Sequence, residues 1–98
     1  MTILLNNVNA DTTSSTFRSA GGAAIAIIRG DDFTGVTVAI QAASASDPNS
    51  TTRWMTLMNG SFTGEATFNM TYLPAGLLLR ATVSGANAGD NIFVEILQ

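Results

Sequence analysis

Few residues in this 98-residue chain are equipped for chemistry. Its charges are seven carboxylates (Asp11, Asp31, Asp32, Asp47, Glu65, Asp90, Glu95) and four arginines (Arg18, Arg29, Arg53, Arg80). Histidine and cysteine are absent, which removes thiol nucleophiles, thiolate metal sites, disulfides and the usual general base. Lysine is absent too, so Schiff-base chemistry and a phosphate-cradling P-loop lysine are excluded. An enzyme would have to work with carboxylates, hydroxyls and arginine alone. Asp31, Asp32, Glu65 and Asp90 are what a small hydrolase would draw on, and it would need two of them in one cleft. Nothing beyond their presence supports that chemistry. The expectation is a non-enzymatic chain with no catalytic, cofactor or metal residues.

Other motifs have plainer explanations. Asp31-Asp32, joined by Asp90 or Asn91, would supply oxygen ligands for calcium, but the spacing does not match an EF-hand loop. Turns use aspartate for local hydrogen bonds in any case. Arg29-Gly30-Asp31 spells an adhesion tripeptide, yet a given tripeptide arises by chance in about one chain in a hundred of this length. Asn49-Ser50-Thr51, Asn59-Gly60-Ser61 and Asn69-Met70-Thr71 match the glycosylation acceptor, and read better as turn and strand residues. Trp54, Tyr72, Phe33 and Phe62 would make a sugar-stacking platform if exposed together. A single tryptophan is more often the central core residue of a sandwich.

Composition narrows the partners. Hydrophobic types make up 46% of the chain and charged ones 11%, against about 25% charged in an average soluble domain. The net charge of −3 argues against a nucleic-acid groove, which needs a basic footprint. No run approaches the 18 or more apolar residues of a membrane helix. The start, Thr2-Ile3-Leu4-Leu5, lacks the basic segment and apolar core of a signal peptide, so the expectation is synthesis in a cytoplasm.

The elements that must position these residues repeat with period two. Ile25 and Ile27 alternate with small Ala24 and Ala26, which assigns the isoleucines to the core and puts Ile28 outside. Val36, Val38, Ile40 and Ala42 form a second inward set. Phe62, Ala66, Phe68, Met70 and Tyr72 share a third. Leu77, Leu79, Ala81 and Val83 oppose Leu78, Arg80, Thr82 and Ser84. Ile92, Val94 and Ile96 oppose Phe93, Glu95 and Leu97. Thr51 to Met58 reads either way, and Ile3 to Val8 is the least regular segment. Turn residues separate the runs at residues 30–35, 46–50, 74–76 and 85–90, and Asn59-Gly60 signals a tight hairpin. Short strands at this spacing predict an all-β, antiparallel β-sandwich of jelly-roll or immunoglobulin-like kind, with about seven or eight short strands. The chain reads as one domain, residues 1–98, with 1–20 open as an extended arm or a loosely attached first strand.

Some apolar residues fall on faces that alternation gives to solvent. These are Leu78, Phe93, Leu97 and Ile28; Arg80 stands among them and must find a partner. Sheets of natural β proteins are usually blunted by charge, especially lysine, and here almost none is available. These five residues are therefore the interface candidates, and self-association is expected.

Residues 22–98 resemble a class of short proteins encoded among the structural genes of tailed bacteriophages. The likeness rests on the Gly30–Gly35 turn, the strand Val36 to Ser44, Ser44-Ala45-Ser46-Asp47, Trp54, the run Pro74 to Ala81, and Ser84-Gly85 before a final apolar strand. It implies a virion structural protein: a capsid decoration (cement) protein on the capsid surface, made in the host cytoplasm. Its partners would be the major capsid protein and itself, as a homo-oligomer with a trimer as first form, with no cofactor, nucleic acid or membrane. The alternative is a carbohydrate- or receptor-binding module of a phage tail or fibre.

Overall fold

Period-two hydrophobicity over runs of six to eight residues leaves little choice but paired strands. The computed structural model describes residues 1–44 and 53–98 and contains strands but no helix among them. Seven strands are six to eight residues long: β1 (Thr2–Val8), β4 (Gly22–Arg29), β5 (Thr37–Ala43), β6 (Met55–Phe62), β7 (Ala66–Leu73), β8 (Leu78–Ser84) and β9 (Ile92–Leu97). Two short ones, β2 (Thr12–Thr13) and β3 (Phe17–Arg18), lie between β1 and β4.

The strands form two antiparallel sheets packed around one core. The first has the order β1-β9-β4-β7; the second has β2-β8-β5-β6, with β3 also on β8. Residues 1–20 belong to both. β1 pairs with β9, while β2 and β3 follow each other along β8. Between these two, the Ser14 hydroxyl accepts the Ala81 N–H at 2.8 Å, replacing a backbone acceptor. The C-terminal Gln98 side chain accepts the Ala20 N–H and donates to the Ser19 hydroxyl, which ties the β3–β4 link to the end of β9. In the inward sets of β5, β8 and β9 that the alternation assigns, Val36, Val38, Ile40, Leu79, Ala81, Val83, Ile92, Val94 and Ile96 are buried, and Ala42 and Leu77 are partly buried against them; Ala43, from the opposite set of β5, is buried as well.

Strand β4 runs in the opposite phase to the one expected. Ala24, Ala26 and Ile28 are buried, and Ile25 and Ile27 face outward. Partners directly across an antiparallel ladder share a face. Ala26 lies opposite Ile96 and Ile28 opposite Val94, so the core-facing side of β9 dictates which residues of β4 go in. Ile28 is 1% exposed, and as an outward interface candidate it is corrected to a core residue.

Three further departures come from bulges. Asn59-Gly60 does not turn a hairpin. Between the pairs Ala39–Ser61 and Gln41–Thr56, β5 advances two residues and β6 five, so the dipeptide sits in a bulge inside β6. Asn59 takes the left-handed conformation there (φ 60°), which asparagine tolerates better than most residues. In β7, one extra residue lies between the pairs Leu73–Gly22 and Met70–Ala24. That extra residue turns Leu73 inward and leaves Tyr72 exposed, against its expected place with Phe68 and Met70. In β1, register shifts on both sides of Leu5 put adjacent Leu4 and Leu5 in the core, hence its irregular sequence pattern. All three long edge strands, β1, β6 and β7, are uncharged and bulged. Bulges twist an edge out of register with any added strand, so they stand in for the missing lysines.

Candidate functional site

The bulge in β1, the end of β4 and the start of β9 meet at one end of the first sheet. They form an open cleft of about 310 Å³, lined by Asn7, Arg29, Gly30, Asp31, Glu65, Asn91 and Phe93. Asn7 (φ 53°) and Asn91 (φ 52°) are both left-handed, and Asn9 connects them. Its amide donates to the Asn7 carbonyl at 3.1 Å, and its Oδ1 accepts the Asn91 N–H at 2.8 Å. The Asn91 side chain donates to Asp31 Oδ2 at 2.8 Å, and the Gly30 N–H donates to Glu65 Oε2 at 3.3 Å. Gly30 is closely packed. A Cβ there would stand 2.7 Å from Ile92 Cδ1 and 2.9 Å from Phe33 Cε2.

The cleft thus brings two of the expected carboxylates together, Asp31 and Glu65, and separates them from the other two. Asp32 caps its own turn by accepting the Thr34 N–H at 2.8 Å. That backbone bond, with a second from the Thr34 hydroxyl, holds its carboxyl below the ordinary aspartate range. Asp90 is buried and accepts the Asn87 N–H at 2.7 Å, while its carbonyl accepts the Asp31 N–H. These are turn bonds. No group of three acidic side chains is placed to hold a metal ion among the described residues. Asp31 and Glu65 are exposed in a mainly polar lining. That lining offers a mixed set of hydrogen-bond donors and acceptors.

The other motifs resolve locally. In Arg29-Gly30-Asp31 the guanidinium lies over the Phe93 ring, 4.5 Å from its centroid, and Asp31 is bonded to Asn91. The tripeptide is folded into the cleft wall. Of the glycosylation triplets, Asn59 lies in the β6 bulge and Asn69 on β7; Asn49 lies outside the described residues, as does the turn at 46–50. The four aromatics that would have had to stand together for a sugar platform are dispersed. Phe33 and Phe62 pack against the core, Tyr72 is exposed on the β7 bulge, and Trp54 lies against Arg80. Trp54 is half-buried outside the core cluster; the central core place expected of it is taken by aliphatic side chains.

The interface candidates divide between the two sheets. On the second, Arg80 finds its partners within the chain. Its Nε donates to Gln41 Oε1 at 2.8 Å, and its guanidinium carbon lies 4.4 Å from the Trp54 ring centroid. Leu78, half-buried, stands opposite Ala43 on one side and Arg18 on the other. On the first sheet, Phe93 and Leu97 are half-buried on the outer face, opposite Arg29 and Ile25. Ile25, which the alternation assigned to the core, and Ile3, in the least regular segment, complete that face: Ile25 is 41% exposed and Ile3 47%. On edge strand β6, Met55 is 75% and Met58 87% exposed. Cross-strand register with β9 was the missing signal for Ile25, and the bulge was the missing signal for Met58. Comparison with protein-family models, with curated proteins and with solved structures finds no match to this chain.

Proposed function

We propose that this chain is a non-enzymatic structural protein of a virion, a decoration protein that binds the shell of a tailed bacteriophage and stabilises it. One observation carries the reading. Large apolar side chains stand exposed on both sheets, Ile3 and Ile25 on the outer face of one and Met55 and Met58 on the free edge of the other. Surfaces of this kind mark protein contacts, and methionine adapts to irregular partner surfaces. A bridging protein needs two separate contact surfaces, and two sheets of a sandwich supply them on one small body. The partners under this reading are the major capsid protein and further copies of the chain, at the capsid surface. Stabilisation is then mass action: the bound chain favours the assembled shell because it does not bind its dissociated parts equally well.

Attachment under this reading depends on shape and apolar burial, since so few charges are available for steering. Adding the purified chain to phage capsid shells that lack it, and measuring occupancy by sedimentation, tests this. Occupancy is expected to change little between low and high salt, and from about pH 6 to 9, above the reference values of Asp and Glu. A tenfold loss at moderate salt would overturn burial-driven docking in favour of contacts through Arg18, Arg29, Arg53 or Arg80. Absence of binding to every shell, including that of a phage whose capsid genes adjoin this one, would overturn the reading altogether.

A further inference from the structure

We infer that the outer face of the first sheet is a contact between two copies of this chain, related by a two-fold axis that sets Arg29 of each against Glu95 of the other. The inference rests on the decoration reading only in giving one of its two surfaces a specific occupant. The face can be laid out from the ladders. Along β9 the outward residues are Phe93, Glu95 and Leu97, and opposite them on β4 stand Arg29, Ile27 and Ile25. Ile3 of β1 adjoins Glu95 on its other side. Next to β4, the outward positions of β7 are polar, with Thr67 opposite Ile27 and Asn69 opposite Ile25. The result is an aliphatic patch of Ile3, Ile25, Ile27 and Leu97, bounded by polar residues and crossed by one cation and one anion.

Those two charges decide the occupant. Glu95 stands between Ile3 and Ile27, yet its side chain makes no hydrogen bond or ion pair among the described residues. Arg29, diagonal to it, is held over Phe93 and makes no ion pair among them either. A partner surface that covered the aliphatic side chains would strip water from both charges, which is unfavourable unless each meets its opposite. A second copy provides that match. In a two-fold contact every interaction is made twice, so placing Arg29 against Glu95 of the other copy also places Glu95 against its Arg29. Equal and opposite charges on one apolar face are self-complementary under that operation. This pair differs from the trimer that the phage resemblance implies.

Sedimentation equilibrium on the full chain tests the contact with Arg29→Glu, Glu95→Arg and the double exchange. The native chain is expected to form dimers at micromolar concentration. Each single change sets like charges against each other twice and should weaken association by about tenfold or more. The double exchange should restore it to within about threefold of native. Thermal melts of each variant separate loss of association from loss of fold, and rescue by the double exchange does so independently. A native chain that sediments as a monomer or a trimer overturns the inference, and so does association indifferent to all three variants, which would place it at the β6 edge. Shell occupancy measured on the same samples keeps the two readings apart. Dimers that bind no shell would support this contact while removing the decoration reading; shell binding by a native chain that stays monomeric would do the reverse.

Discussion

The outer faces of the two sheets meet the same difficulty and resolve it differently. Each carries an arginine among apolar neighbours on a surface with almost no other charge. On the second sheet the problem is settled within the chain. Arg80 bonds to Gln41 and stacks on Trp54, and its outward neighbours along the strand are half-buried Leu78 on one side and Thr82 and Ser84 on the other. On the first sheet Arg29 stacks on Phe93 and shares the cleft with Asp31 and Glu65 without an ion pair among the described residues, the Glu95 side chain has no partner among them, and the remaining outward residues of the β4–β9 pair are aliphatic. A polar group that finds its partner at home signals structure. One left open beside exposed isoleucine signals a contact still to be made, and that difference singles out the first sheet.

The largest expected effect tests whether inside and outside have been assigned correctly on β4. Ile28 and Ile25 have the same chemistry and lie three residues apart, but one is 1% exposed and the other 41%. Ile28→Ala should destabilise the monomer by about 2–5 kcal/mol, the range for emptying a packed aliphatic site. Ile25→Ala should stay within about 0.5 kcal/mol in monomer stability while weakening self-association. Urea denaturation of both variants measures this directly. Equal losses would mean that the phase of β4, and with it the aliphatic face, is misassigned.

That phase also marks where sequence pattern stops being sufficient. Alternation located β4, β5, β7, β8 and β9 but cut β6 at Asn59-Gly60 and gave Phe62 to the next strand. It oriented β5, β8 and β9 because one side of each is wholly apolar while the other carries polar residues: Thr37 and Gln41, Arg80 and Thr82, and Glu95. In β4 both sides are apolar, Ala-Ala-Ile against Ile-Ile, and hydrophobicity alone cannot choose between them. The choice is made by β9, far away in sequence, through the ladder. The bulges in β1, β6 and β7 were illegible for a related reason: each depends on how many residues the neighbouring strand presents, which no local window contains. The cleft was legible in part. Asp31, Glu65 and Asn91 had been singled out from their types, whereas Asn7 reaches it only because β1 is bulged.

A middle-sized effect probes the second sheet. If Arg80 is satisfied within the chain, Arg80→Ala removes a cation–π contact and a hydrogen bond to a half-buried glutamine. Together these are worth about 1–2 kcal/mol, read from the same urea curves. Trp54 would lose its cover and become more accessible to a neutral quencher of its fluorescence. The corresponding change on the first sheet, Arg29→Ala, removes one exposed stacking contact and should cost the monomer about 0.5–1 kcal/mol. A larger monomer loss for Arg29 than for Arg80 would reverse the comparison.

The smallest effect concerns a carboxylate that is satisfied locally, as Glu95 is not. Asp32 accepts the backbone N–H and the hydroxyl of Thr34, and its carboxyl is held below the ordinary aspartate range by those two bonds, the backbone one foremost. A carboxyl depressed in the folded state favours folding while it is ionised in both states. That contribution is complete above the unfolded value and disappears as pH falls through the folded one. Stability should therefore carry a small acid-side slope that begins near the ordinary aspartate value and ends below it. Asp32→Asn keeps an oxygen to accept the Thr34 N–H but cannot titrate, so the variant should lose this part of the slope and fold normally at neutral pH. Because the group is fully exposed, the slope should also shrink in high salt. Thermal melts of native and variant chains between neutral pH and the acid limit of folding, at two salt concentrations, measure it. An unchanged slope would mean that the Asp32 cap does not persist in solution, and the turn that carries Asp31 into the cleft would then rest on the Asp31 N–H to Asp90 bond and the Asn91 contact.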